Sequence, residues 1–187
     1  RTYQYARDRV VSGAVVGLLL GGRCSIGVGV EHGFEPISAP RRATRAHANV
    51  LHELDGRPAA SFYAEYFGEQ AAETMRGTGL TRELIAYPLG VQMDSTGRFL
   101  LRSVRGFGAD GSLLCTGEVP EGAWVQLMIG SKRSALEAAA LAARQAVQSL
   151  RAVHFVVVFD AAVRQRLLGR ETGEELLQIR QVVGPSV

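Results

Sequence analysis

After Ala86 the chain reads YPLGVQMDSTGRFLLRSVRGFGADGSLLCTGEVPEGAWVQLMIG up to Gly130, and this rhythm of short apolar runs and glycine-bearing gaps constrains the fold more than anything else in the sequence. Leu84–Val91, Arg98–Arg105, Ser112–Gly117 and Ala123–Ile129 are rich in aliphatic and aromatic residues, the composition of strands. The gaps are Asp94-Ser95-Thr96-Gly97, Gly108-Ala109-Asp110-Gly111 and Val119-Pro120-Glu121-Gly122, where glycine supplies positive φ and Pro120 presets the first corner of a type I turn. The expectation is a β meander of four short strands. Side chains alternate along a strand, so Arg102 is expected to share an apolar face with Leu100 and Val104. A buried guanidinium needs an acceptor, either a glutamate of the fold or a carboxylate from outside, and this makes Arg102 a candidate ligand anchor.

Either side of this stretch the pattern alternates between strand and helix. Ser12–Gly21 and Cys24–Glu31 read as buried strands joined by a hairpin at Gly21-Gly22-Arg23; in the second, glycines between Ile26, Val28 and Val30 let another backbone or a ligand come close. A dinucleotide-binding loop is excluded, because its glycines open a helix and here the period of two continues. Arg45–Leu54 reads as one further strand, ended by Asp55-Gly56. Pro58 suits the first turn of a helix that carries Phe62, Tyr63, Tyr66 and Phe67, and Glu69–Arg76 a second helix. The glycines of Arg76-Gly77-Thr78-Gly79 mark a boundary between a sub-domain of residues 1–78 and one of residues 79–187. Ser134 and Glu137 have the spacing of a capping box at the start of an alanine-rich helix to Leu150. Val153–Phe159 is a continuous apolar strand, followed by helices over Asp160–Leu168 and Glu171–Val182 that stop at Gly169 and Gly184. The fold class is therefore α/β or α+β, a largely antiparallel sheet or sheets with helices packed on the faces.

The motifs YPLGV, FLLRSV, DGSLLCTGEVPEG and WVQLM resemble the C-terminal half of a FIST domain, and AVVGLLL, EHGFEPI and HELDGRPAASFYAEYFG resemble the closing part of its N-terminal half. The resemblance covers nearly the whole chain and implies a signal-transduction sensory domain of bacterial type. It implies a small-molecule ligand, with amino acids among the candidates, and a signalling partner. Arg164, in FDAAVRQRLLG, resembles the arginine that follows the last long strand of the family and joins Arg102 as a ligand-binding candidate. Where the family often shows a cysteine and a glycine, this chain has Ala161 and Val163, which argues against a cysteine-dependent role there. Two alternatives also come from the resemblance. One is a protein-interaction module, because FIST halves occur in an F-box protein; the other is a haem-based gas sensor, with His32 or His52 as axial ligand. The resemblance further implies family sequence before and after this stretch, hence an unfinished sheet edge and self-association of the 187-residue chain.

Composition narrows the rest. The net charge of +3 is carried almost wholly by scattered arginines, Lys132 being the one lysine, and no basic stripe of the kind that binds nucleic acid emerges. No apolar run approaches the roughly 20 residues of a membrane-spanning helix, so no membrane partner is expected. Cys24 and Cys115 belong to no CxxC pair and read as two buried reduced thiols, in keeping with a cytoplasmic setting. The four histidines show no HExxH and no cysteine at ligand spacing, so neither a metal nor another cofactor is expected. No serine lies on a nucleophile elbow, and the acids of the turns are placed for solvation, so an enzyme is not expected.

Overall fold

The computed structural model describes residues 3–77, 82–93 and 97–184. It is a mixed α/β fold built on a large antiparallel sheet with helices against it. A hairpin of β1 (Gln4–Ala6) and β2 (Arg9–Val11) stands apart from that sheet. The main sheet contains β3 (Phe34–Pro36), β4 (Arg41–His47), β5 (Val50–Leu54), β6 (Arg57–Pro58), β7 (Leu89–Gln92), β8 (Phe99–Arg102), β9 (Val104–Phe107), β10 (Leu113–Cys115) and β11 (Trp124–Gly130). Its order is β8-β7-β11-β4-β5-β10-β9, with β3 also on β11 and β6 on β5. Six helices accompany it among the described residues: α1 (Ser61–Phe67), α2 (Glu69–Gly77), α3 (Arg82–Ala86), α4 (Lys132–Val147), α5 (Ala162–Leu168) and α6 (Thr172–Val183).

The expected meander is replaced by two hairpins, β7–β8 and β9–β10, separated by most of the sheet. The expected strand Arg98–Arg105 breaks at Ser103. There the Ser103 N–H donates to the Thr116 hydroxyl (3.1 Å) instead of a strand carbonyl, and the Thr116 N–H donates to the Ser103 carbonyl (2.9 Å). The chain thus leaves β7 and joins β10, and the two ends of the strand order are consecutive in sequence. Strands β4 and β5, from the N-terminal side of the expected boundary, sit between β11 and β10, so one sheet draws on both sides of it. Thr78 and Gly79 of that boundary, and Asp94, Ser95 and Thr96 of the first turn, lie outside the described residues.

The core is continuous from the sheet to α1 and α3: Leu51, Leu89, Val104, Leu113, Val125 and Leu127 pack with Phe62, Tyr63 and Leu84. Tyr63 is wholly buried and its hydroxyl donates to the Tyr87 carbonyl (2.8 Å), which satisfies the one polar atom of the aromatic cluster it forms with Phe67 and Phe107. Pro58 lies in β6 and not in a helix; Asp55 and Gly56, at φ 50 and 74, make the two-residue turn into it.

Residues 12–33 and 151–160 contain no strand. They were expected as buried strands, yet Val15, Leu19 and Phe159 are at least 95% exposed, and Cys24 is exposed. Neither stretch makes a backbone ladder with the described residues, and an extended segment without a neighbouring strand covers neither its amides nor its side chains.

Candidate functional site

The helical layer brings most of the chemistry-bearing side chains together. Helix α4 starts three residues before the expected cap: Ser131 Oγ accepts from the Ser134 N–H (3.0 Å), and Ser134 Oγ accepts from the Ser131 N–H (3.1 Å). The buried stripe Ala135, Ala138, Ala139 and Ala143 gives it a thin flank on which backbone can lie closely. Residues 27–33 lie along the adjoining edge of the helix, over Ser134, Ala138, Ala142 and Ala146. A Cβ on Gly27 would stand 1.7 Å from the Ala146 carbonyl oxygen and one on Gly29 1.8 Å from that of Ala142, so only glycine allows the approach. The Val30 N–H donates to Gln145 Oε1 (3.2 Å), and Gln145 Nε2 donates to Glu31 (2.5 Å). The backbone foreseen as the neighbour of these glycines is therefore helix α4. Ile26, Val28 and Val30 point away from it and are 68–78% exposed.

Arg164, on α5, ties this layer together. Its Nε and Nη2 donate to Glu175 of α6, its Nη1 to the His32 carbonyl (3.0 Å) and its Nη2 to the Ala135 carbonyl of α4 (2.7 Å). Asp160 lies 3.4 Å away. Glu175 is 5% exposed, a buried carboxylate whose charge is answered by this guanidinium. Beside them the half-buried His32 ring accepts the Phe34 N–H at Nδ1 (2.9 Å), and burial, with Arg164 nearby, holds it below its ordinary titration range despite the adjacent Glu31.

Two clefts open on the same layer. One, of about 270 Å³, lies between residues 154–158 and α6, where Leu176, Ile179, Arg180 and Val183 follow one another at helical spacing; His154, Phe155, Val156 and Val158 complete it. The other, of about 520 Å³, is lined by α4 and α6 and is polar, with Lys132 bonded to Glu171 (2.6 Å) and Arg133 to Glu137 (2.8 Å). Neither Arg102 nor Arg164 lines them. Reading the sequence for single arginines missed Arg180 and His154; the signal that could have found them is the 176-179-180-183 stripe opposite an apolar segment.

Arg102 sits in the sheet, where β8 passes into β9. Leu100 is 40% exposed and Val104 fully buried, so the break at Ser103 divides the common face expected for these residues. Its Nε donates to the Glu118 carbonyl (2.7 Å) and its Nη1 to the Leu101 carbonyl (3.1 Å); the acceptors are main chain, not a carboxylate. Gly117 lets the guanidinium lie flat, since a Cβ there would stand 3.1 Å from Nε.

A FIST N domain model matches residues 1–57 and a FIST C domain model residues 59–187, which leaves almost no residue outside the family's two halves. This chain belongs to the FIST family. FIST domains are sensory domains of signal transduction. An uncharacterized protein of Methanocaldococcus jannaschii is 27% identical over 134 residues, which is 67% of this chain and 26% of that protein, so the chain spans about a quarter of the curated relative it matches. No solved structure matches it.

The haem alternative suggested for FIST proteins meets two different obstacles. His32 accepts a backbone N–H at Nδ1, which places its ring proton on Nε2, the nitrogen that would have to bind iron. His52 turns Nδ1 toward Asp110 (3.4 Å), the orientation an axial ligand needs, but it lines neither cleft. As placed, neither histidine presents a free ligating nitrogen to either cleft. The same Asp110 accepts from the Ser112 hydroxyl (2.6 Å) and N–H (3.1 Å), bonds that hold its carboxyl down to about 2. Serine and histidine thus flank the carboxylate, whereas a nucleophilic relay requires the histidine in the middle. Among the described residues no cluster of three His, Cys, Asp or Glu could hold a metal, and no helix is long and apolar enough to cross a membrane.

Proposed function

We propose that this FIST chain is a ligand-binding sensory domain that takes a small amphipathic carboxylate, of amino-acid size, in the cleft between residues 154–158 and α6, and passes the resulting change to a signalling partner without doing chemistry. The observation that carries this reading is the lining of that cleft. Six apolar side chains surround it, with Arg180 and His154 as its polar groups, the combination by which pockets hold an apolar body and orient a charged end. Its volume of about 270 Å³ is small for a drug-sized molecule and suits an amino acid. Arg102 and Arg164 were the expected anchors, but neither lines this cleft; Arg180 does, and in this proposal it takes the anchoring role. Helix α6 carries the signal, because Glu175 on the same helix is held by Arg164 and through it by α4 and the His32 carbonyl. A cytoplasmic setting belongs to this proposal and agrees with two cysteines that are free thiols.

Native mass spectrometry of the purified chain, followed by calorimetric titration with leucine, phenylalanine and glutamate, tests the reading. An apolar amino acid is expected to bind at least tenfold more tightly to the parent than to Arg180→Ala. Equal affinities, or no binding by any of the three, overturns it. The interaction-module alternative is favoured by a separate observation, the exposed apolar side chains of residues 15–30.

A further inference from the structure

We infer that residues 24–31 are the self-pairing strand of a two-fold dimer, in which this segment lies antiparallel beside the same segment of a second copy. The segment is extended, seated on α4 by Gly27 and Gly29, and carries Ile26, Val28 and Val30 outward. Among the described residues it makes no backbone–backbone hydrogen bond, so one row of amides and carbonyls is available to a neighbouring strand. Such an edge is a template for another chain, and Ser12–Glu31 holds no lysine or proline to blunt it.

Apolar area lies on the strand and on the chain leading into it. Ile26, Val28 and Val30 are 68–78% exposed; at about 100 Å² per fully exposed aliphatic side chain they present roughly 200 Å². Val15, Val16, Leu18, Leu19 and Leu20, 44–98% exposed, precede them, and with these the patch reaches the upper end of what a monomer usually exposes.

Charge selects both the occupant and the register. The ends of the segment are Arg23 and Glu31, and antiparallel pairing centred on Gly27 sets Arg23 of each copy opposite Glu31 of the other. In that register Ile26 lies beside Val28 of the partner copy and Cys24 beside its Val30. All of these even-numbered residues face the apolar side. A two-fold axis through Gly27 uses the same patch twice and closes the assembly, so no filament grows from this pairing.

The test uses the whole chain. Light scattering over a concentration series is expected to give twice the 20.1 kDa chain mass. Val28→Lys, which alters an outward-facing position, should weaken the dimer more than tenfold without changing the melt of the sheet. Arg23→Glu alone should weaken it and Arg23→Glu with Glu31→Arg should restore it. Register is read by Val30→Cys under mild oxidation. Directly opposed residues have Cα atoms about 4.5–5.5 Å apart, within disulfide range, so the new cysteine should cross-link to Cys24 of the partner copy. Within one chain the two are six residues apart in extended backbone, about 20 Å, and cannot meet. A monomer at all concentrations, as when a different strand covers the segment, overturns the proposal. So does a dimer indifferent to Val28→Lys, or one without the Val30→Cys cross-link.

Discussion

Glu175 is the residue on which the helical layer most depends, because a carboxylate 5% exposed has left water and, among the described residues, is answered by Arg164. Removing Glu175 leaves Arg164 with Asp160 at 3.4 Å and two main-chain carbonyls, so Glu175→Ala should cost toward the low end of the about 3–5 kcal/mol of a broken buried pair, read in urea or thermal unfolding. Replacing Arg164 and Glu175 together by leucine should cost much less, since no buried charge is left over. His32 next to this pair gives a pH signature. Its ring is held below the ordinary value of 6.5 when folded, so on acidification the unfolded chain takes up the proton first. Its contribution is therefore fully present above about pH 6.5 and is lost as pH falls from there toward the folded value. His32→Asn should flatten that part of the stability profile and leave the part below about pH 4, where Asp55 and Asp110 titrate, as it was. At this scale the sequence showed half of each relation. Arg164 stood out by family likeness, but Glu175 eleven residues later reads as an ordinary solvent-facing acid of a helix, and only the packing of α6 on α4 turns it inward. Arg102 stood out by alternation, and its main-chain acceptors could not be seen because carbonyls have no letter of their own.

Elements were legible where a residue type admits one reading and illegible where the backbone acts against type. The glycines at 27 and 29 announced a close neighbour, and Asp55-Gly56 announced a turn; both need what only glycine supplies. Ala48 announced nothing. It adopts φ 48 and splits the expected strand Arg45–Leu54 into β4 and β5, with Asn49 fixing the turn by donating to the Cys115 carbonyl (3.0 Å). Alanine in the left-handed region costs roughly 1–2 kcal/mol, of which a glycine returns part to the entropy of the unfolded chain. Ala48→Gly should therefore raise stability by about 0.5–1 kcal/mol, and a lowered denaturation midpoint would mean that the methyl group contributes packing instead. The start of α4 illustrates a different limit. Ser131-x-x-Ser134 and Ser134-x-x-Glu137 both have cap spacing, and the choice falls to the first because β11 ends at Gly130 and the chain must turn there.

Across the whole molecule, the contrast between the sheet and the unpaired segments sets how the chain opens. Strand β11 bonds to β7, β4 and β3, and Val125, Leu127 and Met128 are fully buried, so its amides are reached only when the sheet comes apart. The fold class was readable because alternation and turn chemistry are local; the order of the strands was not, because the passage from β8 to β9 depends on Thr116, thirteen residues beyond Ser103. Ser12–Gly21 and Val153–Phe159 read as buried strands because their side chains are apolar, and burial requires a neighbour that residue letters do not supply. Hydrogen exchange should show this division directly. Amides of Val125–Ile129 should exchange last, with the global opening, and those of Val15–Leu20 and Phe155–Phe159 within the dead time of a manual experiment at low protein concentration. Residues 24–29 should exchange as quickly in dilute solution and become protected as concentration rises, since pairing with a second copy would take up amides there; Val30, whose N–H is bonded to Gln145, starts out slower. Protection of β11 equal to that of residues 15–20 would show that the sheet is not the stable unit of this molecule.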